Sequence, residues 1–391
     1  MNRILSDAPT SYGTCDPDFA GVRRAFENNF IMGDEIGAAV SVYHAGRKVV
    51  DLWGGLRNQA EQLPWQEDTL VCFMSTTKAI ASLAVLSLVD RYGLDLDKPM
   101  AHYWPAFAQA GKAGISVRCV LSQLAGLPVI DAAPAGSFYD QDVLEQGLEV
   151  QAPLWEPGTT PCYHSFTHGP LCQKLVSLVT GKSLGRYLRE DLLGPLGIEF
   201  LIGLTDEEIT RCADLVFSDG IPTLMQMRQP DSLLHRAWRP VQPINEVMNQ
   251  AEFRRNEFGS GSGHSTARDV AKLFGLLASA LCQPAGTNAV ELLSRPVLED
   301  AITEQWDDVE KITHRHFRYG TGFMLNNAYF TTGPNQRTFG HPGLGGAIGF
   351  ADPVANIGFA YAGNRIHAID STGPCAGALI EAVYNSLTHK A

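Results

Sequence analysis

The sequence predicts an α/β protein of the α+β type: one antiparallel sheet built from both termini, flanked by helices, with an inserted all-helical domain. Strand-like segments bounded by turn residues lie at 37–53 and again at 317–364, while helical patterning fills the middle. A segment starting at Ser75 is apolar around its whole circumference, which marks a helix inside a thick core. With 391 residues, 45% hydrophobic and 18% charged, the chain is long enough to bury such a core in one or two domains. The expected division is 1–72 with 290–391 as an α/β domain and 73–289 as a mostly helical domain, with a site in the cleft between them.

The elements follow in order. Asp18–Asn29 reads as an amphipathic helix. Gly37–Tyr43 and Lys48–Trp53 read as two strands joined by a turn at His44-Ala45-Gly46. Ser75-Thr76-Thr77-Lys78 opens the buried helix. Ala79, Ile80, Ala81, Leu83, Ala84, Val85, Leu86, Leu88 and Val89 are interrupted by Ser82 and Ser87 alone, and Gly93 is a natural C-terminal stop. Shorter helices are expected at Val117–Leu121 and Val143–Glu149, with longer ones at His168 to about Val179 and Leu184–Leu193. Residues 205–257 carry several prolines and read as irregular. Ala267–Leu281 is helical, 317–364 is a run of strands broken by Gly, Pro and Asn, and Asp370 to about Ser386 closes the chain as a helix.

Composition excludes several classes. The formal net charge is −12 and there is no Lys/Arg block, which argues against nucleic acid or an anionic membrane surface as partner. No apolar run reaches about 18 residues, so no membrane span is expected. The opening MNRILSDAPTSYGTCDPDF lacks an apolar leader segment, which predicts a cytoplasmic protein. The eight cysteines are scattered, with no CxxC and no Cys/His spacing of a zinc site. They read as reduced, packed thiols, Cys72 and Cys162 among them. No cofactor and no metal is expected. Sequence does not give the oligomeric state.

Three segments carry chemistry. Lys78 falls one turn after Ser75, on the same side of a buried helix. An ammonium partly neutralised by burial, beside a hydroxyl at a positive helix N-terminus, makes an activated nucleophile. Tyr163-His164-Ser165 supplies a phenol that can relay protons if a cation such as Lys78 lowers its pKa. The other reading of Tyr163 is a ring packed under a loop, and Tyr384-Asn385-Ser386 repeats the spacing on the last helix. Phe339-Gly340-His341-Pro342-Gly343-Leu344-Gly345-Gly346 places glycines at a strand, where backbone can approach a ligand closely and an amide can face an oxyanion. It also reads as an ordinary turn.

Taken together, these stretches resemble the serine β-lactamase and penicillin-binding-protein superfamily, and within it the class C β-lactamases and the family VIII carboxylesterases. Trp65–Leu70, Val117–Pro128, Trp155–Ser165, Pro195–Ile198, Gly261–Asp269 and His341–Phe350 match in order. The resemblance implies that Ser75 is the nucleophile, Lys78 its activator and Tyr163 the proton-transfer residue. It places the oxyanion hole at the amides of Ser75 and Leu344. Ser165 stands where many relatives have Asn, and His341-Pro342-Gly343 replaces Lys-Thr-Gly. Ser165, His341 and Gly343 are thus implied substrate-binding positions, and Trp238, in the 221–257 stretch, is a candidate aromatic wall. A neutral His341 and a Pro342 without a hydroxyl remove the cation and hydroxyl that meet a substrate carboxylate. The implied activity is therefore hydrolysis of a small uncharged carboxylic ester. A β-lactamase, a D-aminopeptidase or an acyltransferase on the same fold is the alternative, and a non-catalytic binding protein a more remote one.

Two motifs imitate other chemistry. Gly263-His264-Ser265-Thr266-Ala267 resembles a nucleophile elbow, but a loop precedes it, so Ser265 or Thr266 reads better as a helix cap. His314-Arg315-His316 could set two imidazoles on one strand face for a metal, but it reads better as a solvated charged segment.

Overall fold

A computed structural model describes residues 11–241, 243–282, 292–369 and 372–388. The architecture is mixed helix and antiparallel sheet. The strands on the main path are β1 (Tyr12–Cys15), β2 (Gly37–His44), β3 (Arg47–Asn58), β4 (Trp306–Val309), β5 (His316–Tyr319), β6 (Met324–Leu325), β7 (Phe339–Pro342), β8 (Ile348–Asp352) and β9 (Ile357–Gly363). They lie in the order β1-β3-β2-β9-β8-β7-β6-β5-β4, and Leu63–Pro64 pairs alongside β3. The β2–β9 pairing, Phe359 opposite Val42, joins the N-terminal strands to the C-terminal ones. The sheet is therefore made from both ends of the chain, as expected.

The helices that matter for the site are α1 (Ala20–Ile31), α2 (Thr76–Tyr92), α3 (Val117–Leu121), α4 (His168–Thr180), α5 (Ala267–Cys282) and α6 (Gly373–Thr388). α2 is buried over nearly its whole length. Gly93 ends it with φ 70°, in the left-handed region where a glycine costs least. The turn between β2 and β3 has Ala45 at φ 49° and Gly46 at φ 76°, the paired positive values of a tight hairpin. No helix among the described residues is long and apolar enough to cross a membrane.

Alternation along the strands decides which helix covers each face. On β9, Ile357, Phe359 and Tyr361 join the cluster that packs under α1 and α6 with Phe19, Phe26, Leu379 and Val383. The opposite face carries Gly358, Ala360 and Ala362, and α5 presses closely there. A Cβ on Gly358 would lie 2.1 Å from the Gly275 nitrogen and 2.3 Å from the Ala271 carbonyl oxygen. Large residues face one pair of helices and small ones admit the third.

The structure differs from expectation in several places. Residues 205–257 are not irregular throughout: short helices run over Asp206–Ile209, Pro222–Met227, Leu233–Trp238, Ile244–Val247 and Ala251–Arg255. They are too short for a periodic signal, and prolines start two of these turns by presetting φ. Leu184–Leu193 splits into an α-turn and a π-turn at Leu188–Leu192. β1 and β4 and the helix Arg295–Ala301 were not anticipated. The expected start of the last helix at Asp370 and the domain boundary at 289–290 lie outside the described residues.

Replacing Gly358 with Ala should force α5 off the sheet. Thermal unfolding of Gly358→Ala is expected to show a loss of about 1–3 kcal/mol relative to the parent; an unchanged midpoint would contradict the close packing.

Candidate active site

The turn that presents Ser75 is built by backbone strain and side-chain staples. Val71–Cys72 is a short strand paired with His264–Ser265. Met74 follows at φ 50°, a left-handed value that is uncommon outside glycine and Asn. The Thr77 hydroxyl donates to the Met74 carbonyl at 2.5 Å and accepts from the Gly263 amide at 3.0 Å. The chain thus reverses sharply and delivers Ser75 at the N-terminus of α2. Gly263 is required at that contact, since a Cβ would lie 2.3 Å from the Phe200 ring.

Lys78 is fully buried one turn along. Its Nζ donates to Ser75 Oγ at 3.2 Å and to the Ser260 carbonyl at 2.8 Å. Burial pulls its pKa down to about 7, so the free amine is well populated near neutrality. Nζ also lies 4.9 Å from the centre of the Tyr163 ring. Ser260, the carbonyl partner, is itself fixed, donating to the Phe166 carbonyl and accepting from the Gly169 amide, both at 2.6 Å.

Tyr163 is held by its neighbours' amides. Cys162 N donates to the Gln123 carbonyl (3.1 Å), Tyr163 N to Glu310 Oε2 (2.8 Å) and His164 N to Gln123 Oε1 (2.7 Å). The ring stacks on His341 at 6.0 Å and meets Phe317 edge-on at 5.6 Å. The phenol lies within hydrogen-bonding reach of Ser75. Its pKa is driven upward, mainly by burial, with the Ser75 contact pulling weakly the other way. The expectation that a cation would bring it toward neutrality is therefore corrected. Lys78 is buried too and carries only part of a charge, so Tyr163 rests as a neutral phenol.

Gln123, which sequence reasoning did not single out, is the hub behind these residues. It is fully buried at φ 63°. The Leu127 amide donates to His164 Nε2 (3.1 Å), which leaves His164 Nδ1–H to donate to Gln123 Oε1 (3.1 Å). The Gln123 amide group faces His168 Nδ1 at 3.0 Å and the Tyr319 hydroxyl at 3.4 Å. Tyr319 in turn meets His341 Nε2 at 3.1 Å, and His341 Nδ1 faces the Pro342 carbonyl at 2.6 Å. Every proton in this chain has an acceptor if all three imidazoles are neutral. Burial pushes His164 down to about 4 and His341 to about 3, and His168 well below the usual range. The visible signal was a glutamine inside the apolar run of Val117–Pro128.

The β7 edge closes on the Ser75 turn. Thr76 Oγ1 donates to the His341 carbonyl at 3.0 Å. A Cβ on Gly343 would lie 2.5 Å from the Phe73 carbonyl oxygen and 2.9 Å from Met74 Cβ. Only glycine allows the strand end to sit against the two residues before Ser75.

Ser75, Tyr163, Ser165, Trp238, His341, Gly343 and Leu344 all line one cleft of about 870 Å³, counted to its mouth. Trp238 Nε1 donates to Ser165 Oγ at 2.9 Å, so two expected substrate-binding residues bond each other. Most of the remaining wall is apolar: Met227, Leu234, Ile244, Met248, Phe253 and Phe258 come from the short helices and the loop after them. Arg315 also lines the cleft. His314 and His316 are exposed, in line with a solvated segment, while Arg315 between them is half-buried.

The imitating motifs resolve otherwise. Ser265 is buried and donates to the Glu199 carbonyl at 2.5 Å, and Thr266 caps α5, accepting from Asp269 N at 3.1 Å. Tyr384 donates to Asp352 Oδ2 at 2.6 Å and fills the space beside Gly333. Cys72 packs against the Gly261 carbonyl, and burial pushes its thiol up to about 12.

The chain was compared with known proteins. It is 31% identical over 364 residues to "Esterase/beta-lactamase LipL" of Mycobacterium tuberculosis, covering 91% of this chain and 83% of that relative. A crystal structure of a penicillin-binding protein homologue from Caulobacter crescentus superposes with a TM-score of 0.88 at 35% identity, covering 97% of this chain and 100% of that one. That of a family VIII carboxylesterase superposes with a TM-score of 0.87 at 34% identity, covering 96% and 99%. The model of the Beta-lactamase family matches residues 22–383; with its sheet order, its Ser75 turn and its cleft, the chain belongs to that family.

Proposed function

We propose that the protein is a serine carboxylesterase that cleaves small uncharged carboxylic esters through an acyl-enzyme on Ser75. One observation carries the reading: a fully buried lysine, held near a pKa of 7, donates to a serine hydroxyl at the floor of a mainly apolar cleft. The neutral Lys78 amine takes the Ser75 proton as Oγ attacks the ester carbonyl. The amides of Ser75 and Leu344 receive the oxyanion. Tyr163, a phenol between Ser75 and the leaving group, passes a proton to the departing alcohol and is refilled from Lys78. Water then attacks the acyl-enzyme along the reverse proton path; an added alcohol in its place would make the reaction acyl transfer.

The uncharged His341, with both ring nitrogens occupied, and the aromatic wall at Trp238 support an uncharged substrate. Ser165 and Gly343 shape the floor of the cleft. The reacting cleft in this proposal lies between the α/β part, 1–72 with 290–391, and the mostly helical part, 73–289, although α5 packs on the sheet. A cytoplasmic location belongs to the same proposal, supported by the unpaired thiols. A second reading rests on Arg315, whose guanidinium sits 5.9 Å from the centre of the Tyr329 ring at the cleft wall. It could receive a carboxylate, as a β-lactam carries.

Hydrolysis of a neutral nitrophenyl ester by Ser75→Ala should fall by at least about 10³-fold, and a fluorophosphonate probe should label the parent but not the variant. Turnover persisting in that variant would end the Ser75 assignment. Because the reactive form of Lys78 is the free amine and its pKa is lowered to about 7, kcat/KM should rise with pH through neutrality and level off above it. A rate that is flat from pH 5.5 to 8.5 would exclude Lys78 as base. Arg315→Met separates the two substrate readings. Unchanged neutral-ester turnover with unchanged, weak nitrocefin turnover supports the uncharged substrate, whereas a roughly tenfold or greater loss confined to nitrocefin supports the carboxylate-bearing one.

A further inference from the structure

Away from the cleft, Glu35 in the loop before β2, His367 after β9 and Cys375 in the first turn of α6 converge. One potential ligand atom from each lies within 4.8 Å of the other two. Glu35 and Cys375 are buried and His367 is half-buried. Glu35 Oε1 accepts from the Tyr361 hydroxyl. Glu35 Oε2 and His367 Nε2 are both buried and have no hydrogen-bond partner among the described residues. Leaving such atoms unsatisfied is costly, and a native structure seldom leaves two in one place. Gly363 keeps the space open, since a Cβ there would lie 2.7 Å from Glu35 Oε2.

We propose that Glu35, His367 and Cys375 bind a zinc ion that ties the segment after β9 to the start of α6. The donor set of one carboxylate, one imidazole and one thiolate is borderline-soft, which suits zinc rather than magnesium or calcium. Zinc bonds of about 2.0–2.3 Å set tetrahedral donors roughly 3.3–3.8 Å apart, so the three side chains close by about 1 Å. Zinc binds the carboxylate and the thiolate, so any proton on either group leaves to solvent as the metal enters.

The position gives the ion a mechanical reach. The His367 amide donates to the Gly345 carbonyl at 3.4 Å, and Ile366 packs so closely on Gly345 that a Cβ there would meet it at 2.6 Å. Ile369, two residues on, lines the catalytic cleft. Zinc at this site braces the backbone beside Leu344 without touching substrate.

The test uses full-length protein stripped with a chelator and dialysed against Zn²⁺ or Co²⁺ alone. One equivalent of zinc per chain is expected, and the cobalt form should show a thiolate-to-metal charge-transfer band in the near ultraviolet. Cys375→Ser should abolish that band, and His367→Gln should weaken zinc binding by about tenfold or more. His316→Ala, at an exposed imidazole elsewhere, should bind as the parent does. His367 is half-buried, so His367→Gln is expected to fold; if Cys375→Ser does not, the parent cobalt spectrum and His367→Gln decide. Failure of the parent to retain zinc, parental affinity in His367→Gln, or a cobalt complex without the thiolate band overturns the proposal. None of these readouts depends on ester turnover.

Discussion

The structure turns on the burial of one amine. An ammonium placed in an apolar helix core is destabilising unless it is paired or gives up its proton. Lys78 has a serine hydroxyl and a carbonyl as partners and no carboxylate among them, so desolvation is left uncompensated and the proton is loosely held. The same burial that makes α2 the centre of the fold therefore leaves Lys78 with a readily lost proton. Moving Lys78 toward solvent would restore its charge, and placing an acid beside it would do the same.

A second constraint fixes what that amine faces. Met74 in the left-handed region and Gly343 against Phe73 are two halves of one joint. The first aims Ser75 outward from α2. The second brings the β7 edge within contact of the turn, and the Thr76–His341 hydrogen bond locks the two together. Behind them, Gln123 connects the Tyr163 segment to the same edge through Tyr319 and His341. Three segments distant in sequence are thus held by backbone amides and neutral side chains, with little reliance on surface ion pairs, which contribute little individually.

The parts written in local sequence were legible. The circumference of α2, its glycine stop, the β2–β3 hairpin and the Ser75–Lys78 spacing all follow from rules acting over a few residues. The Ser75 turn and the Tyr163 segment stand out in the sequence because each carries reactive residue types in a patterned context. What stayed hidden depends on contacts across the chain. Gln123 acts through four partners, Cys162, His164, His168 and Tyr319, all 39 or more residues away from it in sequence, and nothing in its neighbours announces them. Arg315 lies just before β5 and lines the cleft although both of its neighbours are exposed, which no charge count reveals. His367 and Cys375 lie eight residues apart but Glu35 is more than 300 residues away from both, so no local spacing rule could join the three. The five short helices between 205 and 257 lack the length for a periodic signal, yet they supply much of the cleft wall.

The bond between Trp238 and Ser165 has a further consequence for selectivity. It commits to the scaffold a hydroxyl that could otherwise have met a ligand, and His341 has already spent both nitrogens on Tyr319 and Pro342. Recognition of the acyl chain then falls to shape and to thioether and aromatic surfaces, with few polar handles. Such a surface separates homologues by about 1–3 kcal/mol per methylene and rejects isosteres poorly. Methionines at four positions of the cleft soften it further. In the proposed esterase, such a cleft grades acyl groups by length and bulk more than by their polar substituents.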